Sequence, residues 1–261
     1  MTIEPADDES AWSRLSALTH ARVGLGREGS SLPTAALLKL RSDQIQAAAS
    51  VHAPFDTAMV VAQLREAGIG ALTADTLAVD REDYLRHPDH GRTLTDDSRA
   101  ELRSQAASPP WDVTFIVSDG LSTQAAQSHA AEAIIATRQA LMAQDQQIQI
   151  APVVVVPLAR VGLLNDAGAA MGARVAVILL GERPGLSGAD SLSAYLEFDP
   201  RAGLTDADRN CISNIRPKGL DVKQAASNLA ALITESRAQE ISGVDLKVEF
   251  GTNAAIDHHW R

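Results

Sequence analysis

The chain has 261 residues, 45 % of them apolar but only 3 % aromatic, so one large domain or two modest ones must be built around Ala, Val, Leu and Ile. A formal net charge of −10 excludes nucleic acid or an anionic membrane as the main partner, since both select basic patches. The single cysteine, Cys211, excludes an intrachain disulfide framework and a multi-cysteine metal knuckle.

The N-terminus, "MTIEPADDESAW", is acidic and has no apolar h-region, so no secretory signal is expected. No apolar run approaches the roughly 20 residues of a membrane span, and a cytoplasmic, reducing setting is the expectation. Residues 1–108 read as a helical N-terminal region. "ESAWSRLSALTHA" puts Trp12, Leu15 and Leu18 on one stripe, and "PTAALLKLRSDQIQAAASVH" does the same for Leu37, Leu38, Ile45 and Ala48 behind Pro33. "DTAMVVAQLREAG" opens on a capping Asp56 and closes on Gly68. "HPDHGRTL" is a Pro/Gly loop.

Between the first two helices lies "RVGLGREGSSLP", where Gly24, Gly26 and Gly29 match the G-x-G-x-x-G of a dinucleotide loop. That loop works only where a strand ends at the first glycine and a helix begins at the third. Here a helical pattern precedes Gly24, and "SSL" separates Gly29 from Pro33. The segment reads as a connecting loop, and no NAD site is expected.

"ASPPW" marks a change of grammar, and residues 109–243 alternate strand, loop and helix. "VTFIV" (113–117) ends in "SDGLST"; the helical "QAAQSHAAEAIIATRQALMAQ" follows, then "IQIAPVVVVPLA", a short helix at "LLNDAGAAMGA", and "RVAVILL" ending in "GERPG". Such alternation predicts an α/β, Rossmann-like parallel sheet covered on both faces. Residues 244–261 form a C-terminal extension in which Val244, Leu246, Val248 and Phe250 alternate strictly, the pattern of an edge strand.

In an open parallel sheet, ligands sit outside the carboxyl ends of the strands. "SDGLST" offers Ser118, Asp119, Ser122 and Thr123, either as a ligand loop or as a turn with a helix cap. "PLARVG" and "GERPGLSGADSLS" end the next two strands. The latter sets Glu182, Arg183 and Pro184 in a glycine-bounded turn, either a local Glu–Arg pair or, favoured here, a ligand contact. "GLSGA" lacks the last glycine of a nucleophile elbow. No H-E-x-x-H and no histidine set spaced with Cys211 is present, and the terminal "DHHW" reads as a solvated tail. Cys211 in "DRNCISNI" reads as a small buried hydrophobe rather than a nucleophile. The chain therefore has no self-sufficient catalytic set and no metal ligands of its own, which suits a cofactor-binding module whose chemistry is completed elsewhere.

"RVGLGREGSSLPTAALL", "YLRHPDHGRTL", "VSDGLST", "ARVAVILLGERPGLSGADSLSAY" and "DADRNCISNI", in that order from about residue 20 to about residue 240, resemble the small subunit of ethanolamine ammonia-lyase. The resemblance implies a lyase that uses adenosylcobalamin to convert ethanolamine into acetaldehyde and ammonia. It places the substrate and the radical chemistry in a barrel-shaped large subunit, with six large and six small subunits, and has the small subunit close over the cobalamin. The family's cobalamin contacts fall on Val161 in "ARVG", Glu182 in "GERPG" and Cys211 in "NCISNI". "PDHGRT" is not the D-x-H-x-x-G of modules that replace the cofactor's benzimidazole, so cobalt is expected to keep its own base. Two departures stand out. The segment before residue 20 is short and acidic, whereas enteric relatives carry a longer extension linked to packaging in a bacterial microcompartment. Residues beyond Gly243 run past the family's usual end. The competing functional reading is a non-catalytic nucleotide- or phosphate-binding regulatory module using "SDGLST" and the "GERPG" turn.

Overall fold

The β-branched runs form the centre of a six-stranded sheet in the structure, a computed structural model that describes residues 8–19, 21–106, 110–186 and 188–248. Helices α1 (Asp8–Ala17), α2 (Thr34–His52) and α3 (Thr57–Glu66) come first, then β1 (Ala71–Thr73), α4 (Arg81–Arg86) and α5 (Asp96–Ser104). The second part runs β2 (Trp111–Ser118), α6 (Thr123–Ala125), α7 (Ala131–Gln144), β3 (Val153–Val155), α8 (Ala169–Met171), β4 (Ala173–Gly181), β5 (Leu192–Phe198), β6 (Arg209–Ile215) and α9 (Val222–Gln239). A π-helical turn at Ala126–Ala130 joins α6 to α7, and another at Leu164–Gly168 leads into α8.

The strand order is β1-β3-β2-β4-β5-β6. The first four strands are parallel, with Val117 beside Val155 and Leu179 in neighbouring registers. The expected wholly parallel sheet is corrected at its far edge, where β5 runs antiparallel to β4 and β6 antiparallel to β5. The physical reason is the connection: the described residues between β4 and β5 contain no helix, and a parallel return needs a crossover of a dozen residues or more. The α/β class stands, with a mixed sheet. β1, too short to show any period, adds an edge strand from within the first 108 residues.

Alternation sorts side chains between two cores. Val113, Phe115 and Val117 of β2 join Val175, Val177 and Leu179 of β4 under α3, α7 and α9. Ile116, Ala176, Ile178 and Leu180 face the opposite layer, with Leu102, Leu163 and Met171. Each such aliphatic burial contributes about 1.5–3 kcal/mol. Asp56 caps α3 by accepting from Met59 N at 2.9 Å, as the sequence predicts.

The stripes on α1 and α2 behave differently. Both helices form, but Trp12 is 44 %, Leu18 84 % and Ile45 69 % exposed, and Ser50 is the one buried residue of α2. These two helices lie on the protein rather than in it. Gly24, Gly26 and Gly29 all have positive φ in a coil between α1 and α2, with no strand before them, so the dinucleotide geometry is absent there. The expected edge strand beyond Gly243 is also corrected: Gly243–Asp245 is a 3-10 turn that lets Leu246 plug the core, and 246–248 add no strand. Phe250 and "DHHW" lie outside the described residues.

Candidate functional site

At the carboxyl ends of β2 and β4 two glycines let the chain approach itself. A Cβ on Gly181 would stand 2.0 Å from the Ser122 carbonyl oxygen, and one on Gly120, at φ +51°, would stand 2.5 Å from the Gly181 oxygen. Leu121 N donates to Gly181 O at 2.9 Å. The "SDGLST" side chains work inside this joint. Ser122 caps α6 through Ala125 N, and Thr123 Oγ1 donates to Ala53 O. Asp119, fully buried, pairs with Arg81 and accepts from Ser118 Oγ at 3.0 Å and Leu158 N at 2.8 Å. The turn-and-cap reading of this loop is the correct one.

Asp119 also fixes the neighbouring loop. Leu158 sits at φ +57°, a conformation costly for a branched side chain, held by its N–H to Asp119 and by Thr76 Oγ1 on its carbonyl. Ala159 N donates to Ser118 Oγ, and Arg160 N to Gly91 O. Arg160 then lies over the Tyr84 ring, 4.3 Å from its centroid. This scaffold delivers Val161.

Val161 and Glu182 line one depression of about 180 Å³ together with Tyr84, Leu121, Ser193 and Tyr195. Cys211 stands directly opposite Tyr195 in the β5–β6 pairing. The three residues singled out from the sequence therefore gather at one place. Glu182 is held asymmetrically: its Oε1 accepts from Ser193 Oγ and from Asn214 N at 2.8 Å, while Oε2 has no partner among the described residues. Glu182 makes no ion pair with Arg183, so the local-pair reading of the turn fails. What remains is a fixed carboxylate with one oxygen open to a ligand donor.

Cys211 is exposed, which corrects its reading as a buried hydrophobe; β6 is a sheet edge, and only Ile212 and Ile215 of it turn inward. Nearby protein mass still raises the thiol pKa, with the Glu182 carboxylate adding to it, so the sulfur is a neutral thiol and not a primed nucleophile. Burial, with Cys211 contributing, pushes the Tyr195 phenol up to about 12. Burial likewise raises Tyr84. Both phenols stay protonated and can donate.

The sequence reading passed over Tyr84, Tyr195 and a cluster after α4. Asp83 Oδ1 lies 2.7 Å from His87 Nδ1 and Asp83 Oδ2 lies 2.8 Å from His90 Nδ1. These bonds, that from His90 foremost, lower the carboxyl to about 2. The ligand atoms lie within 4.8 Å of one another, as at a divalent-cation site, but here they satisfy each other. The D-x₃-H-x₂-H spacing was the available signal, although α4 ends at Arg86 and His90 opens a separate 3-10 turn. For Tyr84 and Tyr195 none existed, because neither lies at a strand end.

The family model for "Ethanolamine ammonia-lyase light chain (EutC)" matches residues 9–247. The chain belongs to this family. Proteins named ethanolamine ammonia-lyase small subunit resemble it closely. That of Pseudomonas fluorescens Pf-5 is 43 % identical over 251 residues, covering 95 % of this chain and 91 % of its own. That of Bradyrhizobium diazoefficiens is 44 % identical over 251 residues, covering 96 % and 95 %. The Ralstonia nicotianae protein is 44 % identical over 241 residues, covering 92 % and 88 %. Membership makes the chain a lyase subunit. Among the described residues no helix is long and apolar enough to cross a membrane.

Proposed function

We propose that the chain forms one wall of an adenosylcobalamin site in an ethanolamine ammonia-lyase, the other wall coming from a large subunit, and that the complex converts ethanolamine into acetaldehyde and ammonia. The observation that carries this reading is the strand-end depression, where Glu182 presents one unpartnered carboxylate oxygen beside the apolar Val161, Leu121 and two tyrosines. Those residues fit a macrocycle that is apolar on its face and rimmed with amides. Glu182 would accept a rim N–H in a charge-assisted bond. Val161 and the tyrosines would pack on the ring, and Cys211 would flank it across β6.

At about 180 Å³ the depression is far smaller than a cobalamin, so this chain covers part of the cofactor and leaves the rest to its partner. When bound, the cobalamin supplies a weak cobalt–carbon bond as the radical source. This chain's part is to bind, orient and keep water away. The regulatory nucleotide reading loses its first loop, since the polar side chains of "SDGLST" are spent on internal bonds.

The test is Glu182→Gln in the reconstituted complex. Gln keeps an oxygen for Ser193 and Asn214 but turns an amide toward the amide rim. Losing a bond to a charged acceptor costs about 1.5–3 kcal/mol, so the KM for adenosylcobalamin should rise by about 10- to 100-fold while the KM for ethanolamine stays put. A shift confined to the ethanolamine term would sink the assignment.

A further inference from the structure

The cluster after α4 takes no part in the function proposed above. Asp83, His87 and His90 bring one carboxylate and two imidazoles together, with their ligand atoms all within 4.8 Å of one another. The Asp83 side chain is 15 % exposed, while those of His87 and His90 are 59 % and 42 % exposed. A sheltered carboxylate therefore meets two rings that solvent can reach. One ring would suffice to satisfy a single acceptor. Here each carboxylate oxygen has its own Nδ1, at 2.7 and 2.8 Å, and the ring centroids stand 5.0 Å apart.

The backbone holds all three residues in place. Asp83 N donates to the Asp80 side chain at 2.8 Å, and Asp83 Oδ2 also accepts from Val79 N at 3.1 Å. His87 N donates to Asp83 O at 2.7 Å, and His90 N donates to His87 O at 3.0 Å. The chain is thus pinned at each ligand, with only the two imidazole side chains left to adjust. The nearest arginines bring little repulsion to a cation, since Arg86 is paired with Glu82 and Arg92 with Asp89.

We propose that Asp83, His87 and His90 bind one divalent transition-metal ion, zinc foremost, which ties α4 to the turn carrying Gly91. The same three groups can share protons or share a cation, and the donor set selects the cation's class. Two imidazole nitrogens with one carboxylate suit zinc and its first-row neighbours, whereas magnesium and calcium prefer oxygen donors alone. Zinc bonds of about 2.0–2.2 Å at tetrahedral angles separate ligand atoms by roughly 3.3 Å. The rings therefore have to swing back from Asp83 by only about half an ångström, and their exposure allows it. Each Nδ1 must present its lone pair, so the proton it now directs at Asp83 moves to Nε2 or passes to solvent. A fourth position stays open to water. The ion would stiffen more than α4: Gly91 O accepts from Arg160 N at 2.8 Å, and a Cβ on Gly91 would stand 2.8 Å from Leu158 O. The turn it pins therefore backs the loop that carries Val161.

The test is calorimetric titration of zinc chloride into the untagged, cobalamin-free full chain, with thermal unfolding followed by circular dichroism. One zinc per chain is expected, with a rise in Tm, and excess magnesium or calcium should not displace it. Second-shell changes weaken metal sites by about 10- to 100-fold, so loss of a ligand should cost at least tenfold. His87→Ala and His90→Ala remove exposed rings and should fold normally, lose that much affinity and show no zinc-dependent rise in Tm. Asp83→Asn keeps an acceptor for Val79 N and should weaken zinc similarly. His258→Ala/His259→Ala, in the terminal "DHHW", should bind zinc as the unaltered chain does. No zinc uptake, or affinity unchanged in His87→Ala and His90→Ala, would overturn the site. Uptake lost in the His258→Ala/His259→Ala variant would overturn it by assigning the metal to the tail. Equal competition by magnesium would also overturn it, as binding to an acidic surface in general.

Discussion

Glu182 divides its labour between two oxygens: Oε1 ties β4's end to Ser193 and to Asn214 N, and Oε2 has no partner among the described residues. The division makes the residue a fixed acceptor, and its substitution tests binding rather than folding. Cys211 beside it is an exposed thiol with a raised pKa, and in the proposed site it would supply packing and little chemistry. Cys211→Ala should keep most turnover at saturating cobalamin, measured as ammonia release. Abolished turnover with the cofactor still bound would give the sulfur a chemical role. Tyr195 makes a pH prediction. Its folded pKa, about 12, lies above the ordinary value of about 10, so between those values the unfolded chain loses a proton that the folded chain keeps. Stability is therefore fully present below pH 10 and falls as pH climbs toward 12. Urea midpoints across that range should decline, and Tyr195→Phe should flatten the decline.

At the scale of elements, the close approach of β4's end to the turn after β2 shapes the depression. Gly181→Ala would drive a methyl into the Ser122 carbonyl, so overpacking of about 1–3 kcal/mol is expected, seen as a lower urea midpoint together with weaker cobalamin binding. Arg81→Ala would leave the buried Asp119 carboxylate without its cation and should cost about 3–5 kcal/mol, measured by thermal or urea denaturation. The same elements show what the sequence disclosed. β2, β3 and β4 were legible because strands buried on both faces read as unbroken β-branched runs. β5 mixes polar with apolar residues, β6 is exposed along much of its length, and β1 has three residues, so none of them announced itself. Strand direction was misjudged by extrapolating the βαβ pattern through a connection whose described residues hold no helix. The depression was legible where its lining followed the strand-end rule, at Val161 and Glu182. It was illegible at Tyr84 and Tyr195, which tertiary packing alone brings in.

Across the whole molecule, features of the described surface suit a partner subunit. The depression is a single shallow wall, and α1 and α2 expose Trp12, Leu15, Leu18, Leu38 and Ile45 to solvent, where a monomer would ordinarily keep apolar side chains covered. An acidic surface keeps such a chain soluble without directing it to nucleic acid. The chain alone should show no ethanolamine turnover, since the proposed function leaves the substrate to a large subunit; ammonia release by the purified chain alone would refute this. The most direct test of the account is equilibrium binding of cobalamin, followed by absorbance, to this chain, to a large subunit, and to the two combined. The account predicts tight binding by the complex, weak binding by this chain alone, and a loss of about 10- to 100-fold in the complex when Glu182 becomes Gln. Undiminished affinity in that variant, or equal affinity of the large subunit with and without this chain, would contradict it.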